Sequence, residues 1–273
     1  MTPSIEDTET ETGIKKPWGV IHCPVTPMTD DGEIAYDRLP EFVSFGVDAG
    51  VDGVMSCATT AEFASMTYQE WQEVTRITIE ESGDLPVFCN VTAESLKKTK
   101  RMADFAEDNG ADGVICSNPY YWLYNDHQDN LVRFYKDLAE HIETGLSIYN
   151  YPIRTENNAT PSSLIKLVAD EDIDNVVGIK ESNPNFHELL AKLRLTHDQS
   201  QFNVGVGANT FFPFSLAGLN IAWCVTTNID PNLIVDLWAA CRAEDWERAE
   251  QLQFKASRLL GILFGQDYPA DIK

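Results

Sequence analysis

Short β-rich runs recur along almost the whole chain, each followed by a stretch with helical spacing, and this alternation limits the chain to very few architectures. The runs are WGVIHCP (18–24), DGVMSC (52–57), PVFCNV (86–91), DGVICS (112–117), GLSIYN (145–150), NVVGI (175–179), QFNVGV (201–206) and NIAWCV (220–225). Between them lie segments such as YDRLPEFVSFGVDAG, LKKTKRMADFAEDNG and HQDNLVRFYKDLAEHI, the second of which ends at Gly110, a glycine suited to a helix C-cap. The sequences AGVDGV at 49–54 and NGADGV at 109–114 read as one helix-to-strand turn used twice.

About eight strand-then-helix units in one series point to the α/β class and a closed parallel (β/α)8 TIM barrel. The alternative is an open doubly wound sheet, which would normally place a glycine-rich phosphate loop after its first strand. Here that position reads CPVTPMTDDGE, with no GxGxxG, so a dinucleotide site is not expected. Residues 1–16 (MTPSIEDTETETGIKK) lack apolar periodicity and read as an acidic, flexible tail. The catalytic barrel is expected over 17–244. Two helical segments, at about 230–243 and 245–263, are too long for a closing turn, so 245–273 is assigned to the start of a C-terminal helical appendage.

A chain of 273 residues with 43% hydrophobic content can bury one large core. No apolar run approaches the roughly 20 residues of a spanning helix, and no basic-then-apolar leader opens the chain, so a cytoplasmic protein without a membrane partner is expected. The net charge of -23 would repel phosphate backbones and makes nucleic acid an unsuitable partner. Such a surface suits a salt-adapted protein, because salt screens the self-repulsion that weakens a compact, highly charged fold. The six cysteines form no CxxC pair and read as reduced core residues, while the five histidines form no HxH or HExxH pattern, so no metal is expected.

In a parallel barrel the chemistry lies at the C-terminal strand ends. Lys180 directly follows the sixth run, VVGI. Burial lowers a lysine pKa, which frees a neutral amine to attack a ketone and form a Schiff base. Tyr149 ends the fifth run, one strand away, and is placed to shuttle protons. Ala58-Thr59-Thr60-Ala61-Glu62 ends the second run, where hydroxyls and backbone N–H groups can hold a carboxylate.

Taken together these residues resemble the dihydrodipicolinate synthase and N-acetylneuraminate lyase family of class I aldolases, from about Trp18 to Lys273. The matching motifs come in family order: VTPMTDDGEI, ATTAEFASMT, NPYYW, YNYPIRT, GIKES and GVGAN. The resemblance implies that Lys180 forms the Schiff base with pyruvate or another 2-oxo acid and that Tyr149 is the general acid/base. It implies that Thr59 and Thr60 hold the pyruvate carboxylate, with Thr60 also in the proton relay, and that Tyr121 is a relay residue lent across a subunit interface. It further implies that Val206 and Gly207 line the pyruvate pocket, that Trp223 packs near the lysine, and that Arg154 meets the second substrate's carboxylate at the pocket entrance. Two departures are visible: Ala58 and Ala61 stand where the family usually has glycines, and Cys89-Asn90-Val91-Thr92 stands where it often has GxG. The added methyls are expected to restrict the loop and narrow the carboxylate site.

The implied activity is a pyruvate-dependent lyase with no cofactor beyond the covalent Schiff base, taking small 2-oxo acid and aldehyde substrates and working as a homotetramer. Arg154 favours condensation of pyruvate with aspartate semialdehyde. Tyr151 and the altered ATTAE loop favour a 2-keto-3-deoxygluconate-type sugar-acid aldolase, and a keto-deoxy sugar-acid dehydratase would use the same lysine and tyrosine. A non-catalytic 2-oxo acid binding protein on the same fold is the alternative outside enzymes. The acidic surface carries its own test: the melting temperature should rise between low and molar KCl, and a flat or falling curve would rule out salt adaptation.

Overall fold

A computed structural model describes residues 8–207, 211–263 and 268–273. Eight parallel strands pair in sequence order and close on themselves. They are β1 (Gly19–His22), β2 (Gly53–Ser56), β3 (Val87–Asn90), β4 (Gly113–Ser117), β5 (Gly145–Asn150), β6 (Val176–Glu181), β7 (Asn203–Gly207) and β8 (Ile221–Cys224), with β8 pairing back on β1. Each is followed by a helix: α1 (Leu39–Val47), α2 (Tyr68–Glu81), α3 (Leu96–Asp108), α4 (Gln128–Ala139), α5 (Pro161–Val168), α6 (Phe186–Thr196), α7 (Phe211–Ser215) and α8 (Pro231–Arg242). A further helix, α9 (Trp246–Leu263), packs on α8.

Side chains alternate across each strand, so the barrel builds two cores. One lies between strands and helices and includes Val20, Val54, Val114, Ile148 and Ile179. The other fills the barrel interior with Ile21, Met55, Phe88, Ile115, Ile221 and Trp223. Gly205 makes room for the last of these, because a Cβ there would lie 2.5 Å from the indole nitrogen of Trp223.

The repeated turn has a repeated cause. Gly50 and Gly110 adopt φ of +84° and +90°, conformations that L side chains resist. The aspartate two residues on then reaches a neighbouring strand: Asp52 accepts from the Val20 N–H at 2.8 Å, and Asp112 accepts from the Val87 N–H at 2.9 Å. Sequence repetition here encodes a pin at the N-terminal rim of the barrel.

Three expectations need adjustment. Strand β6 continues through Lys180 and Glu181 rather than stopping at Ile179, because both residues keep ladder partners on β5 and β7. Residues 8–16, read as part of a flexible tail, form an ordered turn with a Glu9–Lys15 bridge, and Lys16 is buried with its ammonium donating to the Ser200 carbonyl at 2.6 Å. Polar residues without periodicity are held there by specific cation contacts. The third concerns the alanines of the strand-two loop. Ala58 takes an extended conformation (φ −63°), and the left-handed positions fall instead on Cys57 and Glu62. The methyls of Ala58 and Ala61 therefore impose no backbone strain.

Because an added Cβ at Gly110 meets nothing within 4 Å, its substitution isolates the backbone cost. Gly110→Ala should lower the unfolding free energy by about 1 kcal/mol in a denaturant titration.

Candidate active site

Lys180 and Tyr149 are cross-strand partners in the β5–β6 ladder, and both side chains point into the barrel. The Lys180 Nζ lies 4.5 Å from the centre of the Tyr149 ring and 5.6 Å from that of Trp223. Its nearest polar contacts are sulfur: Met55 Sδ at 3.6 Å and Cys23 Sγ at 3.9 Å. Sulfur is a weak acceptor, and no carboxylate among the described residues pairs with this lysine. Burial therefore acts against the ammonium. The influences that would raise the Lys180 pKa are the charges of Cys23, Tyr149, Cys224 and Tyr151. They exist only where those groups are ionised, and burial pushes the Cys23 thiol up. With those charges present the Lys180 pKa is raised; where they are absent, as for the buried Cys23 thiol near neutrality, desolvation acts in the other direction and favours the free amine.

Glu181, the next residue on β6, turns the other way. Its carboxylate accepts from Lys192 Nζ on α6 at 2.5 Å, from Asn150 at 2.8 and 3.1 Å and from the Asn183 N–H at 2.7 Å. Burial pushes this carboxyl up, while the Lys192 charge and these hydrogen bonds pull it down. Two buried lysines twelve residues apart thus have opposite surroundings: Lys192 is ion-paired, and Lys180 has no counter-ion among the described residues.

The ATTAE segment forms a single 3-10 turn over Thr59–Ala61. Thr59 Oγ1 lies 3.2 Å from the Tyr149 hydroxyl, and Thr60 Oγ1 donates to the Cys23 carbonyl at 3.4 Å. Tyr151 stacks on Tyr149 with ring centres 5.6 Å apart. A cavity of about 380 Å³ opens from these groups to the C-terminal face of the barrel.

The structure gathers Lys180, Tyr149, Thr59, Thr60, Val206, Gly207 and Trp223 around that one cavity. Ala208 and Asn209 of GVGAN lie outside the described residues. Arg154 sits in the short helical turn Pro152–Thr155 after β5, exposed and outside the cavity lining. Tyr121 also stands apart from its own chain's cavity. Its ring is 80% exposed, it packs edge-on against Trp122 at 5.1 Å, and its backbone has a φ of +78°.

Some cavity residues escaped the sequence reading. Cys23 directly follows β1, so the strand-end rule would have found it. Phe186 and Phe214 come from helices and Tyr268 from the segment after α9. No strand-end signal marks those three.

The profile of the dihydrodipicolinate synthetase family matches residues 16–273. The chain belongs to this family. It is 32% identical over 257 residues to 4-hydroxy-tetrahydrodipicolinate synthase of Maridesulfovibrio salexigens, covering 93% of this chain and 86% of the relative. Among solved structures, dihydrodipicolinate synthase from Thermotoga maritima superposes with a TM-score of 0.87 at 29% identity, covering 93% of this chain and 85% of that one. YagE of E. coli, a family member solved in complex with pyruvate, gives 0.85 at 25% identity, with coverage of 93% and 85%. This chain is accordingly an enzyme of the pyruvate-dependent aldolase and synthase class, a class that uses a lysine Schiff base in place of a cofactor. No helix among the described residues is long and apolar enough to cross a membrane.

The contrast between the two lysines predicts opposite responses to one substitution. Lys192→Met should cost about 3 kcal/mol or more in unfolding free energy, because it leaves the Glu181 carboxylate buried without its counter-ion. Lys180→Met, which replaces an unpaired amine by an apolar chain of similar shape, should leave stability unchanged or raise it. Denaturant titrations of the two variants check both directions.

Proposed function

We propose that Lys180 is the nucleophile that captures pyruvate, that Tyr149 moves the protons, and that the Thr59–Thr60 turn receives the pyruvate carboxylate. The observation that carries this reading is the buried Lys180 amine, without a carboxylate partner among the described residues, beside the Tyr149–Thr59 hydrogen bond in one cavity. The amine adds to C2 of pyruvate, and Tyr149 protonates the resulting oxygen so that it leaves as water and an iminium forms. Loss of a C3 proton gives an enamine, whose C3 attacks the aldehyde carbonyl as the new C–C bond forms. The aldehyde oxygen takes up a proton, and water hydrolyses the iminium to free the product and the amine. Cleavage is the same sequence reversed.

Two acceptors suit this centre. Condensation with aspartate semialdehyde, in the manner of the synthases the chain resembles, is supported by Arg154. Its guanidinium is exposed on the turn after β5, close enough for its charge to act on Tyr268 of the cavity wall. A sugar-derived aldehyde such as glyceraldehyde is favoured by Tyr151, which lies on Tyr149 inside the cavity, and by a lining whose one cationic side chain among the described residues is Lys180. Tyr121, with Trp122 and Leu123, is part of an exposed apolar run after β4. That run suits a homo-oligomer, a dimer of dimers, in which Tyr121 enters the neighbouring subunit's site and extends its proton relay. The acidic surface suits a salt-rich cytoplasm.

Borohydride reduction in the presence of pyruvate should add a pyruvate-derived mass to the peptide carrying Lys180 and to no other. Lys180→Arg should abolish the adduct, and Tyr149→Phe should slow turnover about 100-fold or more. Tyr121→Phe should slow it measurably if the tyrosine crosses the interface. No adduct on folded wild-type protein would leave the 2-oxo acid binding reading in its place, and aspartate semialdehyde against glyceraldehyde as acceptor decides between the two substrates.

A further inference from the structure

The cavity is not made by the barrel alone. Tyr268, beyond the last helix in sequence, stands in its wall together with Lys180, Tyr149 and Tyr151. Apolar packing and an ion pair hold the segment 268–273 in place. Ile272 is buried with Val25 and Leu263, and Tyr268 packs against the same cluster. The Lys273 ammonium pairs with Glu62 at 2.5 Å, an ion pair with both side chains at least three-quarters buried. Glu62 is the left-handed residue that terminates the Thr59–Ala61 turn. The segment is therefore clasped to the loop assigned to the pyruvate carboxylate, and that clasp fixes where the Tyr268 ring enters.

We propose that Tyr268 is an acceptor-positioning residue, whose phenolic hydroxyl donates a hydrogen bond to an oxygen of the aldehyde other than the reacting one. The proposal rests on the Schiff-base reading above. Lys180, Tyr149 and the Thr59–Thr60 turn account for the pyruvate half of the cavity, and much of the remaining wall is apolar, with Ile153, Phe186, Leu189, Phe214 and Leu260. In such a wall a phenol supplies both a flat apolar face and one directional donor, which selects an oxygenated acceptor over a plain aliphatic one. Burial pushes the Tyr268 phenol well above the ordinary tyrosine range, which keeps its proton on and its hydroxyl a donor.

The test compares wild type, Tyr268→Phe and Tyr268→Ala in two assays. The first is borohydride trapping as a function of pyruvate concentration. The second is kcat and KM in the aldol direction with aspartate semialdehyde, D-glyceraldehyde and butyraldehyde, the last of which carries no second oxygen. Tyr268→Phe should leave the pyruvate dependence of trapping unchanged. It should lower kcat/KM for the preferred oxygenated aldehyde about tenfold, the size of one lost hydrogen bond, mainly through KM, while butyraldehyde changes by less than about twofold. Tyr268→Ala should raise KM for all three aldehydes, again without moving the pyruvate curve. An equal loss with oxygenated and plain aldehydes in Tyr268→Phe, a parallel shift in pyruvate trapping, or trapping by wild type without turnover of any of the three would overturn the proposal. Absence of trapping in wild type would instead sink the Schiff-base reading on which it rests.

Discussion

The side-chain alternation of β6 is the constraint on which the rest of the site depends. Successive residues on a strand face opposite sides, so Lys180 enters the barrel and Glu181 leaves it. A one-residue slip of this strand would turn Lys180 outward, away from Tyr149, and bring Glu181 to the inner face. The Glu181–Lys192 pair, with Asn150 and the Asn183 N–H on the same carboxylate, opposes that slip, because these partners are satisfied in one register only. The outward half of the pattern thus fixes the inward half. A buried ion pair contributes little net stability after desolvation, and its role here is to specify position.

From that register the chemistry follows by adjacency. Tyr149 is the ladder partner of Lys180 on β5, and Asn150 is the partner of Glu181, so the reacting pair and the anchoring pair are set by the same four residues. Closure of the sheet then brings β1, β2 and β8 to the same space, with Cys23, Thr59 and Trp223 around the amine. Among the described residues the interior offers Lys180 aromatic faces and sulfur atoms instead of a carboxylate. Burial there acts against the ammonium, and the free amine is the form that captures a ketone.

The loop carrying Thr59 and Thr60 shows how a departure from a family pattern is absorbed. Alanines at 58 and 61 cost nothing in conformation because the left-handed positions of this loop are Cys57 and Glu62. Glu62 in that conformation also meets Lys273, which provides the clasp for the segment bearing Tyr268.

The sequence by itself determined the eight-unit barrel, because strand and helix periodicities are local and the GVDGV and GADGV turns repeat their signals. It also determined which strand ends carry Lys180, Tyr149 and the two threonines, since in a parallel barrel the order of strands in sequence is their order in space. It placed the end of β6 two residues early, at Ile179, because a lysine and a glutamate after an apolar run look like a strand terminus when their buried partners are unknown. Only the tertiary structure decided which lysine is paired, since the Glu181 carboxylate meets Lys192 through the packing of α6 on β6. It also decided the wall opposite the amine, where Phe186, Phe214 and Tyr268 arrive from helices and from beyond α9. Contacts between elements distant in the chain leave no periodic trace, and the order in residues 8–16 and the exposure of Arg154 are legible only once the chain is folded.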